Sequence, residues 1–317
     1  MWDFKLATAF VAMGRTAPFI LARMLVYFGI AMLYILATGT GGALGYGFTS
    51  FGDGEGGGAF FGALIGFAGA SGVLYWLREY ILYLVKTGHI AVLVQLHDGK
   101  ELPAGKGQID YAVGIVKDRF KESSLLFALD QLIKGVLKAL TRVIQGVSNL
   151  LPIPGLESLV RVANGIVTLS LSYVDEIILA KIVRDDAPNP WETGRQALVL
   201  YAQNYKAMIK NAVWLWLLMW LVTFVIFLIM LGPSFAVMAL VPGDLGFWAF
   251  VIAFVLAWSV KMALIEPLVL YAYMQVYFRA IEGQSPDPVW DQRLADVSEQ
   301  FRELKAKALG GVGGAST

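Results

Sequence analysis

Two long stretches of this chain contain neither lysine nor arginine: Met24 to Leu77 and Asn211 to Val260. Both are largely apolar, and each has room for two bilayer crossings of about 20 residues with a loop between them. One water-soluble core could not hide so much apolar surface. Hydrophobic residues make up 57% of the chain and charged residues 15%, against roughly 45–50% and 25% in soluble domains. The expected fold class is all-α, a polytopic helical membrane protein, because a helix satisfies its own backbone hydrogen bonds in hydrocarbon.

The two gaps predict four clear transmembrane helices. The first runs from about Phe19 to Ala43 and the second from about Gly58 to Leu77. The third is Ala212 to Gly232, and the fourth begins near Gly246. The intervening loops, Gly45 to Gly57 and Pro233 to Leu245, carry no base. Basic residues cluster instead at Lys5 and Arg15, from Arg78 to Lys121, from Lys181 to Lys210 and from Arg279 to Lys307. The positive-inside rule then places both termini and the middle of the chain in the cytoplasm, in the cell inner (plasma) membrane. The opening Met1-Trp2-Asp3-Phe4-Lys5 lacks the layout of a cleaved signal peptide, so the first apolar segment is expected to be retained.

The chain divides into four parts. Residues 1–122 form a first membrane hairpin with cytoplasmic amphipathic helices, and 123–184 a central amphipathic helical hairpin. Residues 185–309 form a second membrane hairpin with its helices, and 310–317 a disordered tail. The two membrane hairpins read as a parallel repeat. Trp2-Asp3 and Trp191-Glu192 open the amphipathic stretches before them, and Gly-bearing linkers follow at His97-Asp98-Gly99 and Glu282-Gly283. The helices after those linkers end in matching patterns at Val116 to Glu122 and Val297 to Glu303.

The central hairpin turns at Leu151-Pro152-Ile153-Pro154-Gly155, which cannot continue a helix. At about 100° per residue, Asp130, Lys134, Lys138 and Arg142 share one arc of its first helix with several polar neighbours. On the second helix Glu157, Arg161, Asn164, Thr168, Ser172 and Asp175 form a narrower stripe, with Glu176 at its edge. Two placements fit. The helices either lie in the inner interface or re-enter it shallowly, basic residues toward anionic lipids, or span the bilayer with their stripes lining a polar seam or pore. Spanning would put Lys134 and Lys138 near the midplane, at about 2.5–3.5 kcal/mol each unless paired or wet. Asp175-Glu176, two carboxylates in apolar sequence, want a cation, a base or a proton.

Other features carry less chemistry. Gly58, Gly62 and Gly66 recur every four residues down one span, a pattern that lets another helix approach closely. Lys261 and Glu266 are the ionisable residues deep in the last apolar run. They carry a weaker coupling or gating assignment, because on an α-helix they point about 140° apart and Lys261 lies near enough to the inner face to snorkel. Glu266-Pro267 reads as a kink. Trp290, Leu294, Val297, Phe301 and Leu304 form a short heptad-like seam expected to dock on the bundle.

Function classes are narrowed mainly by what the composition lacks. Zero cysteines exclude thiolate metal sites and cysteine nucleophiles. Two histidines, His89 and His97, read as surface residues and not as a metal cage. A net charge of +1 does not suit a nucleic-acid partner. No catalytic residues, cofactor or metal are expected, and the chain reads as a non-enzyme. The leading expectation is a polar permeation or transport route for small ions or solutes, formed as a homo-oligomer. Its alternative is a membrane scaffold or adaptor that binds lipid or a cytoplasmic protein partner.

Overall fold

The computed structural model describes residues 2–49, 57–102, 107–119, 123–149, 157–186, 188–239 and 246–313. Every regular element among them is a helix. In chain order they are α1 (Leu6–Arg15), α2 (Ala17–Thr49), α3 (Gly57–His97), α4 (Gly107–Arg119), α5 (Ser123–Asn149), α6 (Glu157–Ser172), α7 (Val174–Asp185), α8 (Pro190–Gln203), α9 (Tyr205–Met238), α10 (Gly246–Val260), a π-helical turn (Lys261–Ile265), α11 (Glu266–Ala280), α12 (Pro288–Val297) and α13 (Glu299–Gly313).

Three helical runs are long and apolar enough to cross a membrane: Ala17–Phe48, Tyr205–Met238 and Ala249–Ala280. The fourth expected crossing lies within α3, whose segment Gly57–Gly72 is apolar. Several boundaries move from their expected positions. α2 continues through Gly45-Tyr46-Gly47 to Thr49, where a loop was expected. α9 runs through Pro233 to Met238, since a transmembrane helix tolerates the lost donor when neighbouring groups re-satisfy the backbone. α3 continues past Leu77 to His97 for 41 residues, about twice the length needed to cross hydrocarbon, because no proline interrupts it.

The chain forms two compact units. The first comprises Met1–Thr16, Thr87–Trp220 and Leu268–Thr317. Within it α8 packs against α7, α12 and α13, and α13 also covers α5. The apolar faces meet at Ile177 and Ile178 of α7, Leu198 and Val199 of α8, and Phe301 and Leu304 of α13, all buried. Polar side chains set the helix starts. Asn189 accepts from the backbone N–H groups of Trp191 and Glu192 at 3.1 and 3.2 Å ahead of Pro190, and Asp287 accepts from Val289 at 2.8 Å ahead of Pro288.

The seam from Trp290 to Leu304 is divided at Ser298, which is extended and whose hydroxyl accepts from Phe301 N–H at 3.2 Å, starting a new helix. Gly99 and Gly283, with φ of 72° and 70°, end α3 and the α11 stretch in the left-handed region, where glycine costs nothing. In the expected tail Gly310–Gly313 is still helical, and the remaining residues lie outside the described set.

The second unit comprises Ala17–Lys86 and Leu221–Pro267. Here α2 and α3 approach through glycine. A Cβ on Gly62 would lie 2.1 Å from the carbonyl oxygen of Gly41, and one on Gly66 would lie 2.1 Å from that of Ala37. A Cβ on Gly45 would lie 1.9 Å from that of Gly58. The Gly58, Gly62 and Gly66 face is therefore spent on α2 of the same chain.

Candidate functional site

In the central hairpin the apolar face of α5 meets protein. The apolar face of α5, with Leu129, Ile133 and Val136 buried, packs within the first unit against α7, α8, α12 and α13. An amphipathic helix needs an apolar partner, and here protein supplies it. Gln131, Lys134, Lys138 and Arg142 face outward and are exposed. Lys134 pairs with Asp130 at 2.7 Å, one turn away on the same helix.

The second stripe is divided. α6 ends at Ser172, Tyr173 leaves the helical path and α7 begins at Val174. Thr168 and Ser172 are exposed, the Ser172 hydroxyl donating to Thr168 O at 2.7 Å, and Asn164 is half-buried. The side chains of Glu157 and Arg161, and the Leu151–Gly155 turn, lie outside the described residues. Asp175 and Glu176, both half-buried, occupy the first turn of α7. There the positive end of the helix dipole favours carboxylates without any bound cation.

Of the two histidines, His89 differs from expectation. His89 is fully buried, its Nε2 2.9 Å from the Thr16 hydroxyl, because α3 enters the core of the first unit through the buried run Ile90 to Val94.

Lys261 and Glu266, by contrast, come together. The π turn places the Glu266 N–H on the Lys261 carbonyl, an i to i+5 bond, so residues five apart lie one above the other and not about 140° apart as on an α-helix. Lys261 Nζ stands 3.4 Å from Glu266 Oε1 and 4.5 Å from the centroid of the Trp258 ring. Lys261 is 9% exposed, so it is enclosed and does not snorkel. Ammonium, carboxylate and indole face thus make a compact buried charge centre inside the candidate span Ala249–Ala280.

The surroundings of this centre are also polar in part. The π turn packs on α2, where Arg23 is 1% exposed. One turn on from Arg23, Tyr27 forms a buried cluster with Leu82 of α3 and Ala263 of the π turn. Between α2 and α10 lies a cleft of about 300 Å³ lined by Tyr27, Tyr34, Trp258 and Ser259 among others. Arg23 and Trp258 were missed as site residues. Their signal was an arginine one turn inside an apolar run and a tryptophan three residues before the only lysine of the last span.

Among the described residues no cluster of His, Asp and Glu has the spacing of a metal site. No protein-family model, curated protein or solved structure matches this chain.

Proposed function

We propose that this chain is a multi-pass inner-membrane protein with four crossings and both termini in the cytoplasm, and that it moves a small ion or charged solute by way of the Lys261–Glu266 centre. The observation that carries the reading is the π turn that pairs these two residues inside an apolar helix. An isolated charge at that depth costs about 2.5–3.5 kcal/mol. A pair that only filled space would be replaceable by apolar residues at no loss of stability. A π turn further sacrifices regular helix geometry, a device concentrated at working sites. A mostly apolar cleft, with Tyr27, Tyr34 and Ser259 in its lining, shares Trp258 with the pair.

The parallel repeat belongs to the same reading. α1 with α2 and α8 with α9 each join a short helix to a long apolar one, and the two long helices that follow close on Gly99 and Gly283 in the same left-handed conformation.

Reconstitution in liposomes tests the proposal. Proton, sodium, potassium and chloride fluxes are compared between wild type and the neutral pair Lys261→Met with Glu266→Gln. Flux in wild type and its loss in the folded double variant is expected. Flux no greater than in empty vesicles for all four ions, or equal flux in the folded double variant, refutes it.

A second reading, a scaffold, draws on the outward basic stripe Lys134, Lys138 and Arg142. With the apolar face of α5 spent inside the first unit, that stripe turns outward, toward anionic lipid or an acidic protein partner. A cysteine at position 138, introduced into this Cys-free chain, should label from the cytoplasmic side alone. Labelling from the outer side would exclude the stripe as a cytoplasmic surface.

A further inference from the structure

The first unit contains a cleft of about 550 Å³ that the reading above does not use. Lys5 and Thr8 at the start of α1, Leu96 and His97 at the end of α3, Arg184 of α7 and the last turns of α11 line it. Its charged lining is Lys5, Arg184 and Arg279 against Glu282 alone, an excess of cations in a chain whose net charge is +1.

The donors around this cleft are largely uncommitted. Among the described residues neither the Lys5 ammonium nor the Arg279 guanidinium enters an ion pair or hydrogen bond. Asp3 feels Arg279 at longer range, but its carboxylate is held by Lys210 at 2.6 Å and by Asn211 at 2.8 Å. Arg184 gives one N–H to Asp98 at 2.9 Å and lies over the Phe278 ring at 4.4 Å, which fixes its plane. Tyr271 is 2% exposed and lines the cleft with a hydroxyl that makes no hydrogen bond among the described residues. The His97 ring packs on Phe278 at 5.1 Å, and its nitrogens are likewise without hydrogen bonds there.

The positions of these groups are held from below. Gln275 accepts from Lys5 N–H at 3.1 Å and donates to Lys5 O at 3.4 Å, tying the start of α1 to α11. Lys5 provides no side-chain cap, so the positive end of α1 also opens here.

A buried hydroxyl, two guanidinium groups and an ammonium converging from separate helices suit an anion with several terminal oxygens. A carboxylate could engage only one fork. The geometry points to a binding site for a phosphate-bearing anion in this cleft, held by Lys5, Arg184, Arg279 and the Tyr271 hydroxyl. The phosphate belongs either to a free phosphorylated solute or to a lipid headgroup.

The 317-residue chain in nanodiscs of pure phosphatidylcholine is titrated calorimetrically with inorganic phosphate and with pyrophosphate, up to about 10 mM. A second arm measures retention of phosphatidic acid from mixed phosphatidylcholine vesicles. Lys5→Gln and Arg279→Gln remove no ion pair, and thermal unfolding confirms that each still folds. Saturable binding of the soluble probes, weakened at least about tenfold in each variant and by added salt, assigns a free phosphorylated solute. Silence in the first arm with phosphatidic acid retained by wild type and lost by both variants assigns a headgroup. Glu282→Gln should tighten whichever is bound. Absence of binding in both arms, or equal binding in wild type and both variants, overturns the site.

Discussion

Gly62→Ala sets two effects of opposite sign against each other. On helix propensity alone the substitution should gain about 1 kcal/mol. In the structure the added methyl would stand 2.1 Å from the Gly41 carbonyl oxygen, 2.9 Å from the Gly45 Cα and 3.0 Å from the Gly41 carbonyl carbon. These are backbone atoms of α2 and cannot rotate away. Restoring a carbon-to-oxygen contact of about 3.3–3.6 Å needs the helices to part by about 1 Å. That opens the adjoining approaches of Gly45 to Gly58 and of Gly66 to Ala37 as well. Overpacking of this kind costs about 1–3 kcal/mol. With propensity set against it, the net effect should run from about zero to a loss of about 2 kcal/mol.

Gly69 on the same helix is the internal control. Nothing lies within 4 Å of a Cβ there, so Gly69→Ala should be neutral or stabilising by up to about 1 kcal/mol. Unfolding in mixed micelles, followed by helicity and tryptophan fluorescence, measures both. A Gly62→Ala protein as stable as Gly69→Ala, or a Gly69→Ala protein equally destabilised, would refute the close approach of α2 and α3.

Two further outcomes follow from the first unit. The Ser170 hydroxyl lies 2.6 Å from those of both Tyr201 and Tyr273, and burial pushes Tyr201 up to about 12. Ser170→Ala should therefore cost about 1 kcal/mol in unfolding experiments, since Tyr201 keeps the Ser170 carbonyl at 2.8 Å and Tyr273 at 3.1 Å while both hydroxyls lose their shortest partner; a loss within error would show the cluster to be dispensable. Arg195, bonded to both Glu192 oxygens at 2.8 and 2.7 Å, holds that carboxyl below its ordinary 4.5. A depressed carboxylate contributes stability in full above its unfolded value, and that contribution disappears as pH falls through the lower folded value. Melting temperature should decline as pH drops below about 4.5, and the decline should be shallower in Glu192→Gln; identical profiles would remove Glu192 from the pH response.

The membrane character of this chain was legible because Lys and Arg are expensive in hydrocarbon, so their absence over two stretches marks where spans lie. The polar stripe of α5 was legible for a similar reason, from spacing alone. What covers its apolar face was not, because Leu129, Ile133 and Val136 look the same in sequence whether they meet acyl chains or the distant residues of α8 and α13. Only tertiary structure distinguishes those partners. The buried state of His89 escaped notice because α3 was expected to stop being core-forming after Leu77, whereas the run Ile90 to Val94 is as buried as any part of the first unit. Lys261 and Glu266 were singled out, but their pairing was hidden by the assumption of a constant 100° per residue. Arg184, Arg279 and Lys5 looked like ordinary topogenic charges, and no local pattern signals that three helix ends bring them to one cleft.

The π turn at Lys261–Ile265 also makes the length of this helix a constraint in its own right. It holds one residue more than an α-helical turn. Deleting one residue from Met262 to Ile265 would therefore leave a continuous α-helix in which Glu266 stands four residues from Lys261, on the same face to within about 40°, with everything beyond close to its present register. The same deletion in a neighbouring α-helical turn has no surplus residue to absorb it and would rotate everything beyond by about 100°, turning Tyr271, Tyr273 and Gln275 away from the partners they now face. Within this helix, tolerance to a one-residue loss should accordingly be concentrated at the π turn.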